Sequence, residues 1–98
     1  MMQNRPLNVG IAGYGIVGNR RRQFIDLNPN MATVAVSDIK FDNSGFLEDG
    51  VKCYPSYDKL FNEKLDVLFV SLPNYLAAEA TIAGLERGLH VFLSLIHI

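Results

Sequence analysis

Cysteine is almost missing from this chain of 98 residues, where Cys53 stands alone. That excludes an internal disulfide and a multi-cysteine zinc site, and it fits a reducing compartment. No His/Cys/Asp/Glu spacing resembles a metal site, so none is expected. Neither sign of charge dominates: 9 Lys+Arg stand against 10 Asp+Glu, for a formal net charge of −1. A broad basic surface for nucleic acid is therefore not expected. The longest apolar runs, such as Val67–Val70 and Val91–Leu93, fall far short of the ~18 residues of a membrane span. Met1–Pro6 carries one arginine and leads into a run broken by Asn8 and Gly10, which is not the form of a secretory signal. What is present is 49% hydrophobic and 19% charged, the balance of a folded chain. The expectation is one small cytoplasmic α/β domain that engages neither membrane nor nucleic acid.

Strand-like and helix-like segments alternate along the chain. Leu7, Val9, Ile11 and Ala12 form an apolar run that stops at glycines and reads as a buried strand. A helix is expected from Ile16 to about Leu27, with Ile16, Val17, Phe24, Ile25 and Leu27 on one face, ended by Asn28-Pro29-Asn30. Thr33–Ser37 reads as a second strand closing at Asp38, and residues 39–50 as a loop with at most a helical turn. Val51–Tyr54 is a brief strand, and Ser56 is placed to cap a short helix from Tyr57 to about Asn62. Val67–Val70 is continuous in its hydrophobicity, as a strand covered on both faces must be. Asn74 is read as the N-cap of a helix over Tyr75–Arg87, with an apolar stripe of Leu76, Ala80, Ile82, Ala83 and Leu85 and a stop at Gly88. A last strand starts at Val91, with His90 as a boundary residue. Such alternation predicts a parallel sheet with helical crossovers, right-handed by default.

Chemistry concentrates at Gly13-Tyr14-Gly15-Ile16-Val17-Gly18, which fits G-x-G-x-x-G between a strand and a helix. Gly13 permits a tight turn, Gly15 lets a pyrophosphate reach the backbone, and Gly18 lets the helix approach the first strand. The amides of Ile16 and Val17 then sit at a helix N-terminus, where orphan N–H groups and the dipole attract an anion. Asp38 closes the second strand 20 residues after Gly18, the spacing expected of a ribose-binding carboxylate. A carboxylate only accepts hydrogen bonds, which suits two ribose hydroxyls. A 2′-phosphate at that place would meet like charge, about 4 kcal/mol of repulsion at ~4 Å and an effective dielectric near 20. NAD is therefore favoured over NADP, a preference that Lys40 or Arg20-Arg21-Arg22 would soften if they lay beside the ribose. Otherwise the arginine run reads as a solvated helix face, and Cys53 as a small buried hydrophobe. Tyr14 is left between packing over the cofactor and shielding the turn.

The chain resembles the N-terminal domain of the Gfo/Idh/MocA oxidoreductase family from Leu7 to about Phe92. The resemblance is carried by VGIAGYGIVG (Val9–Gly18), VAVSD (Val34–Asp38), LDVLFVSLPN (Leu65–Asn74) and AGLERGLHVF (Ala83–Phe92). It implies a Rossmann-like domain in which Ser71, Leu72, Pro73 and Asn74 line the cofactor near its nicotinamide half. It further implies hydride transfer with a sugar, nucleotide sugar or cyclitol, a second and largely β domain, and a homo-oligomer in the complete protein. Two departures limit the transfer of roles. Many relatives place a histidine three residues after the Pro-Asn pair, where this chain has Ala77. The family also continues its next strand with Cys-Glu-Lys-Pro, whose lysine is implicated in proton transfer. Here Leu93-Ser94-Leu95-Ile96 stands there, and no lysine follows Lys64. No catalytic residue is assigned.

The ending LSLIHI (Leu93–Ile98) is the translation of CTGTCTCTTATACACATC, which resembles a transposon-end sequencing adapter. The expectation is a truncated, incomplete dinucleotide-binding domain over residues 1–92, an artefactual tail over 93–98, and no second domain. Such a fragment is expected to be inactive alone and poorly soluble, because its last strand is an open edge. A non-catalytic dinucleotide-binding sensor or regulatory module, and a domain for another adenine nucleotide, are the competing functional readings.

Overall fold

The computed structural model describes residues 5–94. Its element order is β1 (Leu7–Ala12), α1 (Ile16–Leu27), β2 (Met31–Ser37), β3 (Gly45–Phe46), β4 (Lys52–Tyr54), a 3-10 helix (Tyr57–Asn62), β5 (Val67–Val70), α2 (Asn74–Glu86) and β6 (His90–Leu93). One sheet takes all the strands in the order β3-β4-β2-β1-β5-β6. Its pairs are parallel except β3 with β4. The chain therefore starts in the middle, builds outward on one side through β2 and β4, and then crosses to the other side for β5 and β6. This is a doubly wound, mostly parallel sheet, Rossmann-like as the family resemblance implies, and it leaves a crevice beyond the carboxyl ends of β1 and β5, where the direction of building switches.

The central strands are covered on both faces. Val9, Ile11, Val36 and Val67 pack with Ile25 of α1. The alternate positions Ala12, Ala35, Leu68 and Val70 pack with Leu60 of the 3-10 helix and Ala80 of α2. A period-2 strand sends successive side chains to opposite faces, so continuous runs such as Val67–Val70 follow from helices on both sides. Cys53 sits in the first cluster, 6% exposed.

Several sequence-based expectations need correction. Residues 39–50 are not only loop: Gly45–Phe46 adds a two-residue antiparallel strand, making the sheet mixed. β2 begins at Met31 rather than Thr33, since its parallel ladder with β1 starts at Leu7↔Met31. The helix over Tyr57–Asn62 is 3-10; Ser56 takes its N-cap position as expected, but its hydroxyl donates to the Asp58 carboxylate and makes no capping bond to the backbone. In α2 the N-cap position belongs to Pro73, and Asn74 is the first helical residue. Beyond its end, Gly88 takes φ +76°, with Gly88 N–H donating to Leu85 O and Leu89 N–H to Gly84 O. That double bond pattern closes the helix and needs a residue tolerant of positive φ.

The expected apolar faces are narrower than their hydrophobicity suggested. In α1 only Gly18 and Ile25 are buried, while Ile16, Phe24 and Leu27 are exposed. In α2 Ala80 is buried, but Ile82 and Leu85 face outward. The last strand opens at His90, one residue before Val91, and includes Leu93. Leu95–Ile98, the rest of the suspected tail, lie outside the described residues.

Candidate functional site

Sheet ladders bring the strand ends level and so assemble the site. Gly13 N–H donates to Ser37 O at 2.9 Å, Ser71 N–H to Ala12 O at 2.8 Å, and Asp38 N–H to Tyr54 O at 3.0 Å. The loops after β1, β2 and β5 thus start from one row. Gly13, Gly15, Asp38, Ser71, Leu72 and Pro73 line one cavity of about 240 Å³, joined there by Ile39 and Leu76. A smaller apolar cavity of about 130 Å³ shares Asp38, Ile39, Leu72 and Leu76, and adds Pro55, Ser56 and Tyr57. These shared walls make a continuous cleft, running from the glycine turn past the strand-end aspartate to the loop after β4.

The three glycines have different physical reasons. Gly13 holds φ +96°, and a Cβ there would lie 2.4 Å from Ser71 O. Both the conformation and the approach of the neighbouring loop require glycine. A Cβ on Gly18 would come within 2.0 Å of Gly13 O, so the helix can start this close to β1 only without a side chain. Gly15, the N-cap of α1, is extended and faces open space, with nothing within 4 Å of a built Cβ.

Tyr14 turns away from the cleft. Its ring is buried against the core cluster of Val9, Ile25 and Val51, and its hydroxyl accepts from Arg22 Nη1 at 3.1 Å. The ring thus takes neither expected place, over a cofactor or over the turn, but packs in the core; only the backbone of Tyr14 belongs to the turn. Arg22 correspondingly leaves the solvated face: its side chain is 14% exposed and pairs with Asp26 and Asp49. Arg21 Nε donates to Ser94 Oγ.

Asp38 sits between the two loops. Its Oδ2 accepts the Tyr14 N–H at 2.8 Å and its Oδ1 the Lys40 N–H at 3.0 Å. A carboxylate offers about four lone-pair positions, so these bonds leave capacity for further donors. Lys40 does not turn toward Asp38. Its Nζ donates to Tyr14 O at 2.6 Å and lies 5.1 Å from the Tyr14 ring centre. Ser71 Oγ is buried beside the cleft without a hydrogen-bond partner. Ile16 and Val17 open α1, and the N–H groups of a helix's first turn have no intrahelical acceptor.

Ile39, Leu76, Pro55, Ser56 and Tyr57 were not assigned to the site from the sequence. For Ile39 a signal existed in the sequence, an aliphatic residue directly after Asp38 in a polar loop; in the structure it is 91% exposed. Among the described residues no group of His, Cys, Asp and Glu could hold a metal ion. No described helix is long and apolar enough to cross a membrane.

The fold has known counterparts. The chain is similar to D-galactose-1-dehydrogenase of Rhizobium etli at 27% identity, with a TM-score of 0.74 over 95% of this chain and 29% of that one. It is similar to myo-inositol 2-dehydrogenase of Lactobacillus plantarum at 22% identity, with a TM-score of 0.71 over 91% of this chain and 28% of that one. A biliverdin reductase of Synechocystis, solved with biliverdin and NADP+, shares the fold at 24% identity and a TM-score of 0.73, over 93% of this chain and 30% of that one. The chain thus spans less than a third of the length of each. No curated protein matches it by sequence. Residues 7–94 match the sequence pattern of the oxidoreductase family with an NAD-binding Rossmann fold, named Gfo/Idh/MocA. The glycine turn, the sheet order and this match over nearly the whole described length lead to one conclusion: the chain belongs to the Gfo/Idh/MocA oxidoreductase family and carries its NAD-binding Rossmann domain.

Proposed function

We propose that the chain binds NAD in the cleft between the Gly13–Gly18 turn and Ser71–Asn74. It serves as the cofactor-holding part of an oxidoreductase acting on a hydroxyl or carbonyl of a sugar, nucleotide sugar or cyclitol. The observation that carries this reading is Gly15. Its backbone is extended rather than left-handed, and no protein atom approaches its missing Cβ. Packing does not call for glycine there, and the preference at an N-cap is met as well by Ser, Thr, Asn or Asp, whereas a diphosphate lying against the backbone calls for glycine itself. The buried, unpartnered Ser71 Oγ and the spare acceptor capacity of Asp38 fit a hydroxyl- and amide-rich ligand in the same cleft.

The bound nicotinamide supplies the hydride chemistry, and the protein supplies placement and electrostatics. First-turn amides of Ile16, Val17 and Gly18 receive the diphosphate, and Asp38 accepts from the adenosine ribose. Asp38 supports NAD over NADP because a 2′-phosphate would meet its charge, and the Lys40 ammonium that could offset it is engaged on Tyr14 O. The apolar hollow of Ile39, Pro55, Leu72 and Leu76 suits an adenine ring. Sugar-like substrates are supported by the galactose and inositol dehydrogenases among the similar structures. In this reading a second domain of the complete protein holds the substrate and the subunit contacts, and the proton-transfer group also lies there or beyond Phe92.

Calorimetric titration of the protein with NADH, NADPH and ATP tests the reading. The expected order has NADH tightest. Tighter NADPH binding overturns the choice of cofactor, and a Gly15→Ile variant with undiminished dinucleotide affinity overturns the site.

A further inference from the structure

Two side chains from the end of β2 hold consecutive peptides of the glycine turn. The Asp38 carboxylate accepts the Tyr14 N–H, which belongs to the Gly13–Tyr14 peptide. The Lys40 ammonium donates to Tyr14 O, which belongs to the Tyr14–Gly15 peptide. It is also seated over two rings, 5.1 Å from the centre of Tyr14 and 5.6 Å from that of Phe41. Since no peptide of the described chain is cis, the C=O of Tyr14 and the N–H of Gly15 point in opposite directions. Fixing the carbonyl on Lys40 therefore fixes where the Gly15 N–H points. That N–H finds no acceptor among the described residues, and Gly15 lines the cleft. Without the anchor the peptide could rotate cheaply, because glycine accepts either sign of φ.

We propose that Lys40 is a positioning residue for the dinucleotide. It latches the Tyr14–Gly15 peptide so that the glycine turn is shaped before ligand arrives, and it does not touch the ribose. The proposal rests on the dinucleotide-binding reading above and adds a residue to it. A charge-assisted hydrogen bond to a carbonyl is among the stronger protein contacts, so its loss is readable as affinity.

The experiment uses the full chain and its Lys40→Met and Lys40→Arg variants. Each is titrated calorimetrically with NAD+, NADP+ and ADP, and its ligand-free amide NMR spectrum is recorded. K40M is expected to weaken all three ligands alike, by roughly tenfold, the effect of losing one charge-assisted bond. Its Gly15 amide resonance is expected to shift and broaden without ligand, while K40R, which can still donate to Tyr14 O, restores both affinity and spectrum. Unchanged NAD+ and ADP binding in K40M overturns the proposal. So does a loss confined to NADP+, which makes Lys40 a direct 2′-phosphate contact. If the unaltered chain binds none of the three, the dinucleotide reading itself falls, and this proposal with it. Should K40M melt early, Lys40→Leu, which likewise has no donor, replaces it at a temperature where every variant is folded.

Discussion

The carbonyl oxygen of Gly13 lies 2.0 Å from the point that a Cβ on Gly18 would occupy. Backbone, not a rotatable side chain, fills that place, so the clash cannot be relieved locally. Gly18→Ala is predicted to lose at least ~2–3 kcal/mol of stability, the scale of forced overpacking, or to prevent folding. Gly15→Ala, with open space around it, is predicted to lose no more than ~1 kcal/mol, the difference between a glycine and an alanine N-cap. Urea unfolding of the two variants side by side checks the contrast. Equal losses would contradict the division of roles within the turn.

Arg22 ties α1 to the buried Tyr14 hydroxyl and to the loop at Asp49. Burial works against its charge, but hydrogen bonds with Tyr14 and Asp49 outweigh it and hold its pKa above the usual value. Arg22→Met is predicted to destabilise the protein by about 1–2 kcal/mol, because the Tyr14 hydroxyl is left unpaired. In that background Tyr14→Phe is predicted to cost almost nothing. A double-mutant cycle measures the coupling, and additive losses would show that the hydroxyl and Arg22 do not cooperate.

The hydrogen bond of Tyr54 to Glu63, reinforced by burial, pushes the phenol up to about 12. The same bond lowers the Glu63 pKa against the opposing effect of burial, helped by Lys52 at 3.1 Å. Tyr54 therefore contributes stability that is complete below its unfolded value of 10.0 and is lost as pH rises toward about 12. Glu63 contributes stability that is present above its unfolded value of 4.5 and declines as pH falls below it. Tyr54→Phe is predicted to flatten the alkaline limb of a melting-temperature profile and to weaken the acid limb. A profile unchanged between pH 9 and 12 would contradict the pairing.

β6 ends the sheet order, with Phe92 50% and Leu93 49% exposed. An open, uncharged edge pairs readily with a second copy. The chain is predicted to self-associate with rising concentration, and Leu93→Lys to reduce this, as read by sedimentation velocity. A strictly monomeric parent chain would remove the basis for the effect.

Periodicity and punctuation determined much of this protein. Val67–Val70 had to be a strand covered on both faces, Asn28-Pro29-Asn30 had to end α1, and Gly88 had to close α2, because these outcomes depend on a few adjacent residues. The glycine turn and Asp38 were legible for the same reason: their spacing along the chain already implies a strand, a turn and a helix in sequence. Tertiary structure decided what depends on distant neighbours. Ile16, Phe24, Ile82 and Leu85 are hydrophobic yet exposed, since the sheet covers only a narrow stripe of each helix. Gly45–Phe46 is a strand only because β4 offers it a partner. Tyr14 turns inward because Arg22 and the core wait there, and the Lys40 ammonium turns from the Asp38 carboxylate because the Tyr14 carbonyl lies within reach. Which groups meet across 26 residues of chain is fixed by strand register and loop direction, and no local pattern encodes either.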